Sequence, residues 1–132
     1  MEIININKCR VEITDISTSN KVINVKDGFL DYCYVKKNSK DINNKIKVKD
    51  GEANIRVIDI LDNSGVNVYT IDLENPNSNV NISIASISRL NSKKDYKVNT
   101  KNKSIHTTAR IDCFGIVEDT SSLKYDITIR IF

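Results

Sequence analysis

Leu123-Lys124-Tyr125-Asp126-Ile127-Thr128-Ile129-Arg130-Ile131 carries an apolar side chain at every second position and a polar one between. A period of two is a β-strand with one buried face. The pattern predicts that Leu123, Tyr125, Ile127, Ile129 and Ile131 point into a core while Lys124, Thr128 and Arg130 face water. Ahead of this strand, residues 105 to 117 read as another, joined to it by the polar turn Glu118-Asp119-Thr120-Ser121-Ser122.

Working outward, the rest of the chain has the same texture. Val22 to Val25 and Phe29 to Val35 read as strands around Lys26-Asp27-Gly28, where glycine is expected to supply a positive φ. The inward side of the second strand stays open, because Phe29, Asp31, Cys33 and Val35 share one phase. Val-Lys-Asp-Gly occurs twice, from Val25 and from Val48, an offset of 23 residues that suggests a repeated coil. Two copies do not establish a period.

Two stretches lose phase. In Ile55 to Leu61 and again in Val66 to Leu73 the apolar residues change parity in mid-run. One extra residue in a strand swaps its faces, so both places predict a bulge or a bend. Ser17-Thr18-Ser19-Asn20, Asn38-Ser39-Lys40-Asp41 and the stretch from Glu74 through Pro76 to Asn79 read as turns or loops. Val80, Ile82 and Ile84 resume a strand, which Ala85 to Leu90 extends or ends in a short helical turn. Nothing sustains a helical period, and no composition shift marks a linker.

The 132 residues therefore read as one all-β domain, residues 1–132, rich in Ile and Val, whose branched Cβ atoms suit a pleated surface. The formal charge of +3 comes from 20 basic and 17 acidic residues scattered along the chain, a solvated surface and not a nucleic-acid stripe. Aromatic residues make up 6% and no basic run is interleaved with them, so nucleic acid is not expected as a partner. Cys9, Cys33 and Cys113 are odd in number and widely spaced, which argues against a secreted disulfide framework. No signal peptide and no membrane-length apolar run are seen, so the expected location is cytoplasmic, without a membrane partner.

Tyr96 to Ile131 resembles the core domain shared by SufB and SufD of iron-sulfur cluster assembly. The resemblance rests on His106 followed by Thr107-Thr108, the strand ending in Gly115-Ile116, the acidic turn at Asp119 and the alternating strand from Leu123. Asn79-Val80-Asn81-Ile82 and Tyr96-Lys97-Val98 are similar to the coils that precede that element in the family. The resemblance implies a right-handed parallel β-helix and a scaffold protein working beside an ATPase. A β-sandwich serving as a binding or structural subunit of a larger assembly is the alternative. Family members continue into further coils, a cysteine-containing segment and a helical part that meets the ATPase. These residues hold neither, so the scaffold is what the resemblance transfers.

The nearest thing to a reactive site is His106 with Cys113, since imidazole and thiolate ligate zinc and iron-sulfur clusters. Two ligands of a needed three or four do not make a site, so no bound metal is expected and a cofactor is left unassigned. No strained turn presents a nucleophile, and neither Asp59 with Asp62 nor Glu118 with Asp119 has an apolar setting. The expectation is a non-enzymatic protein. Its last strand is apolar in alternation to the end of the sequence, and a strand edge left open templates pairing with another chain. A homodimer or a heteromeric protein partner is expected to use it.

Overall fold

The computed structural model describes residues 2–15, 20–38 and 40–132. Among these are eleven strands and no helix: β1 (Glu2–Asn7), β2 (Arg10–Asp15), β3 (Lys21–Lys26), β4 (Phe29–Val35), β5 (Ile42–Lys49), β6 (Glu52–Asp59), β7 (Gly65–Leu73), β8 (Asn79–Ser88), β9 (Lys93–Asn102), β10 (Thr108–Val117) and β11 (Ser122–Ile131). Odd strands form one sheet in the order β1-β3-β5-β7-β9-β11, and even strands form the other, β10-β8-β6-β4-β2. Each strand pairs in parallel with the strand two further on. The chain is thus a parallel β-helix, two strands to the coil. The β-sandwich alternative is excluded, since hairpins and meanders pair consecutive strands antiparallel and here consecutive strands never pair.

In-register parallel pairing stacks like on like. Ile4, Ile23, Ile46 and Ile71 form one inward column of the odd sheet, and Ile6, Val25, Val48 and Leu73 the next. The even sheet answers with Val11, Leu30, Ala53 and Val80, and with Ile13, Tyr32, Ile55, Ile82 and Ile111. These columns merge into one buried apolar cluster. Burying such side chains at about 25 cal/mol per Å² of apolar surface is the main force holding coil to coil.

Where odd strands give way to even ones, each coil carries a residue in the left-handed region: Lys8, Asp27, Asp50, Asn77 and His106, with φ between 49° and 63°. The expected role of glycine is corrected here. Asp27 and Asp50 take the positive φ, and Gly28 and Gly51 do not. Those glycines are needed for room, because a Cβ at Gly51 would lie 2.3 Å from the Gly28 carbonyl oxygen of the coil beside it.

The predicted bulges are also corrected. β6 keeps strict alternation with Ala53, Ile55, Val57 and Asp59 inward, and β7 pairs in unbroken register with Asn67, Tyr69, Ile71 and Leu73 inward, Asp72 being buried between the last two. Parity looks broken because Asp59 and Asn67 are buried while Ile58, Ile60 and Val66 face out. In β4 the inward residues are Leu30, Tyr32 and Tyr34. β8 runs extended to Ser88, so no helical turn forms there. Of the expected breaks, Ser17-Thr18-Ser19 and Ser39 lie outside the described residues.

The coil lengthens along the axis. Register steps of the odd sheet are 19 residues from Ile4 to Ile23, then 23 to Ile46, 25 to Ile71, 29 to Thr100 and 29 to Ile129. The repeated Val-Lys-Asp-Gly is one such step, with Val25 paired to Val48. Strands grow from six residues in β1 to ten in β11, so the solenoid widens toward β10 and β11.

Candidate functional site

Two features stand out from the packed body: the coil formed by β10 and β11, and a polar column inside the solenoid.

The phase read from sequence for β11 is the phase observed. Leu123, Tyr125, Ile127, Ile129 and Ile131 lie over Lys94, Tyr96, Val98, Thr100 and Asn102, the inward residues of β9. Their burial differs from expectation. Leu123 and Tyr125 are half-buried, while Ile127 is 41% exposed, Ile129 48% and Ile131 82%. Among the described residues no coil follows β10 and β11, so the inward row has a neighbour on one side only. Lys124, Thr128 and Arg130 are exposed as expected.

Across the coil, β10 contributes Ala109, Ile111 and Cys113 to the same partly covered floor. Phe114, Ile116 and Val117 add apolar surface, all more than half exposed. Tyr125 fixes the two strands relative to one another: its hydroxyl donates to the Phe114 carbonyl at 2.7 Å, and its ring lies 5.8 Å from that of Tyr96. Burial, with the Cys113 and Asp59 charges added, pushes the Tyr125 phenol up to about 12. Each of β10 and β11 pairs with a strand on one side, leaving two ten-residue edges unpaired. Such an edge presents a row of backbone N–H and C=O groups without strand partners, beside exposed apolar side chains.

The polar column runs along the corner where even strands give way to odd ones. Asp15 at the end of β2 accepts a hydrogen bond from the Tyr32 hydroxyl and faces Lys21 Nζ at 2.6 Å. Asp59 at the end of β6 repeats the arrangement: the Tyr96 hydroxyl donates to it, and Lys94 Nζ lies 2.9 Å away. Lys94 also donates to the Ile87 carbonyl at 2.6 Å. Between the two triads, Lys36 Nζ donates to Asn67 Oδ1 at 2.8 Å. Burial raises the Tyr32 and Tyr96 phenols well above their ordinary value, the neighbouring carboxylates adding to it. A phenol held neutral and donating keeps each carboxylate solvated in a dry interior. Sequence reasoning missed this column, and the signal available was the apparent loss of phase in β6 and β7.

The sequence candidates are not brought together. His106 is exposed in the corner before β10, and Cys113 lies inward on β10, beyond roughly 17 Å of extended strand. Burial, with Asp112 adding, raises the Cys113 thiol above its ordinary value, which disfavours the thiolate. Cys9 is exposed at the first corner and Cys33 lies on the outer face of β4. Among the described residues no three His, Cys, Asp or Glu side chains cluster as metal ligands. Among the described residues no helix is long and apolar enough to cross a membrane.

The fold defines the chain as a parallel β-solenoid protein. No protein-family model matches it, and no curated protein matches it.

Proposed function

We propose that this β-solenoid is a non-enzymatic assembly scaffold resembling the SufB/SufD core, linked to iron-sulfur cluster assembly, that works by docking protein onto β10 and β11. The observation that carries the reading is the all-apolar inward row of β11, in register on the inward row of β9 and exposed at Ile127, Ile129 and Ile131. The partner is a second copy or another protein that supplies the next strands. Self-pairing is electrostatically matched: an antiparallel two-fold through Tyr125 sets Lys124 of one copy opposite Asp126 of the other. The scattered positions of His106, Cys9, Cys33 and Cys113 support a scaffold role over one in which a single chain cradles a cluster.

The test is equilibrium sedimentation of the chain alone and with a purified SufB-type protein, repeated with Ile127→Lys combined with Ile129→Lys. Association by the parent, lost in the folded double variant, is expected. Association unchanged in the variant, or none with either partner, overturns the reading.

A further inference from the structure

The charges buried in the polar column do not cancel. Asp15 is matched by Lys21 at 2.6 Å, which also lies 3.8 Å from the half-exposed Glu2 carboxylate, and Asp59 is matched by Lys94 at 2.9 Å. Lys36 is as deeply buried, at 3% exposure, and among the described residues no carboxylate lies within ion-pair distance of it. Among the described residues its one hydrogen-bond partner is the side-chain amide oxygen of Asn67. A buried ammonium with no carboxylate in contact is costly, even with the Asp59 and Asp41 charges acting on it from further away, so either the proton leaves or an anion enters.

The groups around Lys36 select between these. Nδ2 of Asn67, the amide nitrogen beside the oxygen that Lys36 engages, is buried and has no acceptor in the protein. Tyr34, the neighbouring inward position on β4, is 1% exposed and its hydroxyl has no partner. Tyr69, the inward neighbour of Asn67 on β7, faces the Asn44 amide without closing a hydrogen bond to it. Donors without acceptors thus occupy inward positions next to Lys36 and Asn67 along β4 and β7, where the Asp15 and Asp59 charges also act on both phenols. Asparagine amide, phenol hydroxyl and ammonium are the donors that hold a small anion in a protein interior.

We propose that Lys36, Asn67 and Tyr34, flanked by Tyr69, form a binding site for one small monovalent anion of halide size. The anion neutralises the odd charge of the column and accepts from the donors that the chain leaves unpaired. Burial lowers the affinity of Lys36 for its proton, the Asp59 and Asp41 charges oppose this, and Lys94 adds to it. A bound anion joins the side that keeps Lys36 protonated, so anion affinity falls as the pH rises.

The experiment is thermal unfolding of the 132-residue chain in sodium chloride against sodium gluconate at equal ionic strength, for the parent, Lys36→Met and Tyr34→Phe. Chloride should raise the midpoint of the parent. The increment should vanish in Lys36→Met, and the half-saturating chloride should rise about tenfold in Tyr34→Phe, the worth of one hydrogen bond. Crystals soaked in bromide should show an anomalous peak in contact with Lys36 Nζ, a readout that stands even if a variant fails to fold. An equal chloride increment in parent and Lys36→Met, or density for water alone beside Lys36, overturns the proposal.

Discussion

Gly51 sits on Gly28 of the preceding coil so closely that a methyl on Gly51 would be 2.3 Å from the Gly28 carbonyl oxygen. The obstacle is backbone, so the contact cannot be relieved by turning a side chain. Gly51→Ala should therefore destabilise by about 1–3 kcal/mol, the usual cost of overpacking. Gly115 gives the contrast, because its added methyl would meet the Leu123 side chain in the open coil. Gly115→Ala should cost much less, and denaturant unfolding of the two variants in parallel checks the difference.

Asp59 and Lys94 form a pair in which each side chain is 1% exposed. Removing one partner of such a pair strands the other charge, so Asp59→Ala should cost about 3–5 kcal/mol. Combining it with Lys94→Met should recover most of that loss, as a double-mutant cycle in urea would show. Equal stability of the single and double variants would show that the charge left on Lys94 is not what destabilises.

Tyr32, Tyr34, Tyr69 and Tyr96 all have phenols raised above the ordinary value by burial. A group whose folded pKa exceeds its unfolded pKa stabilises fully below the unfolded value, and that stability is lost as the pH rises past it. Stability should therefore fall above about pH 10, the ordinary tyrosine value. Phenolate absorbance should appear together with loss of β circular dichroism, and not before it.

Lys36 runs the other way. Its folded pKa is lowered, so the unfolded chain binds more protons between that lowered value and 10.5, and stability should climb with pH across that window. Lys36→Met should remove this slope. Subtracting the stability curves of parent and variant, measured without halide, isolates it from the tyrosine effect.

Much of the fold was legible where inward positions are apolar. The face of β11 followed from Leu123 to Ile131, and the boundaries of β4 from the run between Gly28 and Lys36. The coil step was visible in Val25 and Val48, but it grows from 19 to 29 residues, so no fixed period carried the reading further. What hid the rest was charge inside: Asp59, Asn67 and Lys94 occupy inward positions that a hydrophobic pattern assigns to water. Glycine was misread for a local reason, since its role at Gly28 and Gly51 is set by a neighbour a full coil away. The open floor at β10 and β11 was legible as an unpaired edge, whereas His106 with Cys113 was proximity in sequence that the extended strand separates.

The most direct test of the account is the concentration dependence of molar mass by light scattering, with amide hydrogen exchange recorded on the same samples. Mass should rise with concentration, or on adding the docking partner, while amides of β10 and β11 become protected. Ile127→Lys with Ile129→Lys should abolish both changes and leave unfolding free energy nearly unaltered, since both positions are exposed in the single chain. A chain that stays monomeric with every partner tried, and whose β10 and β11 amides are already as protected as those of β8 and β9, would contradict it.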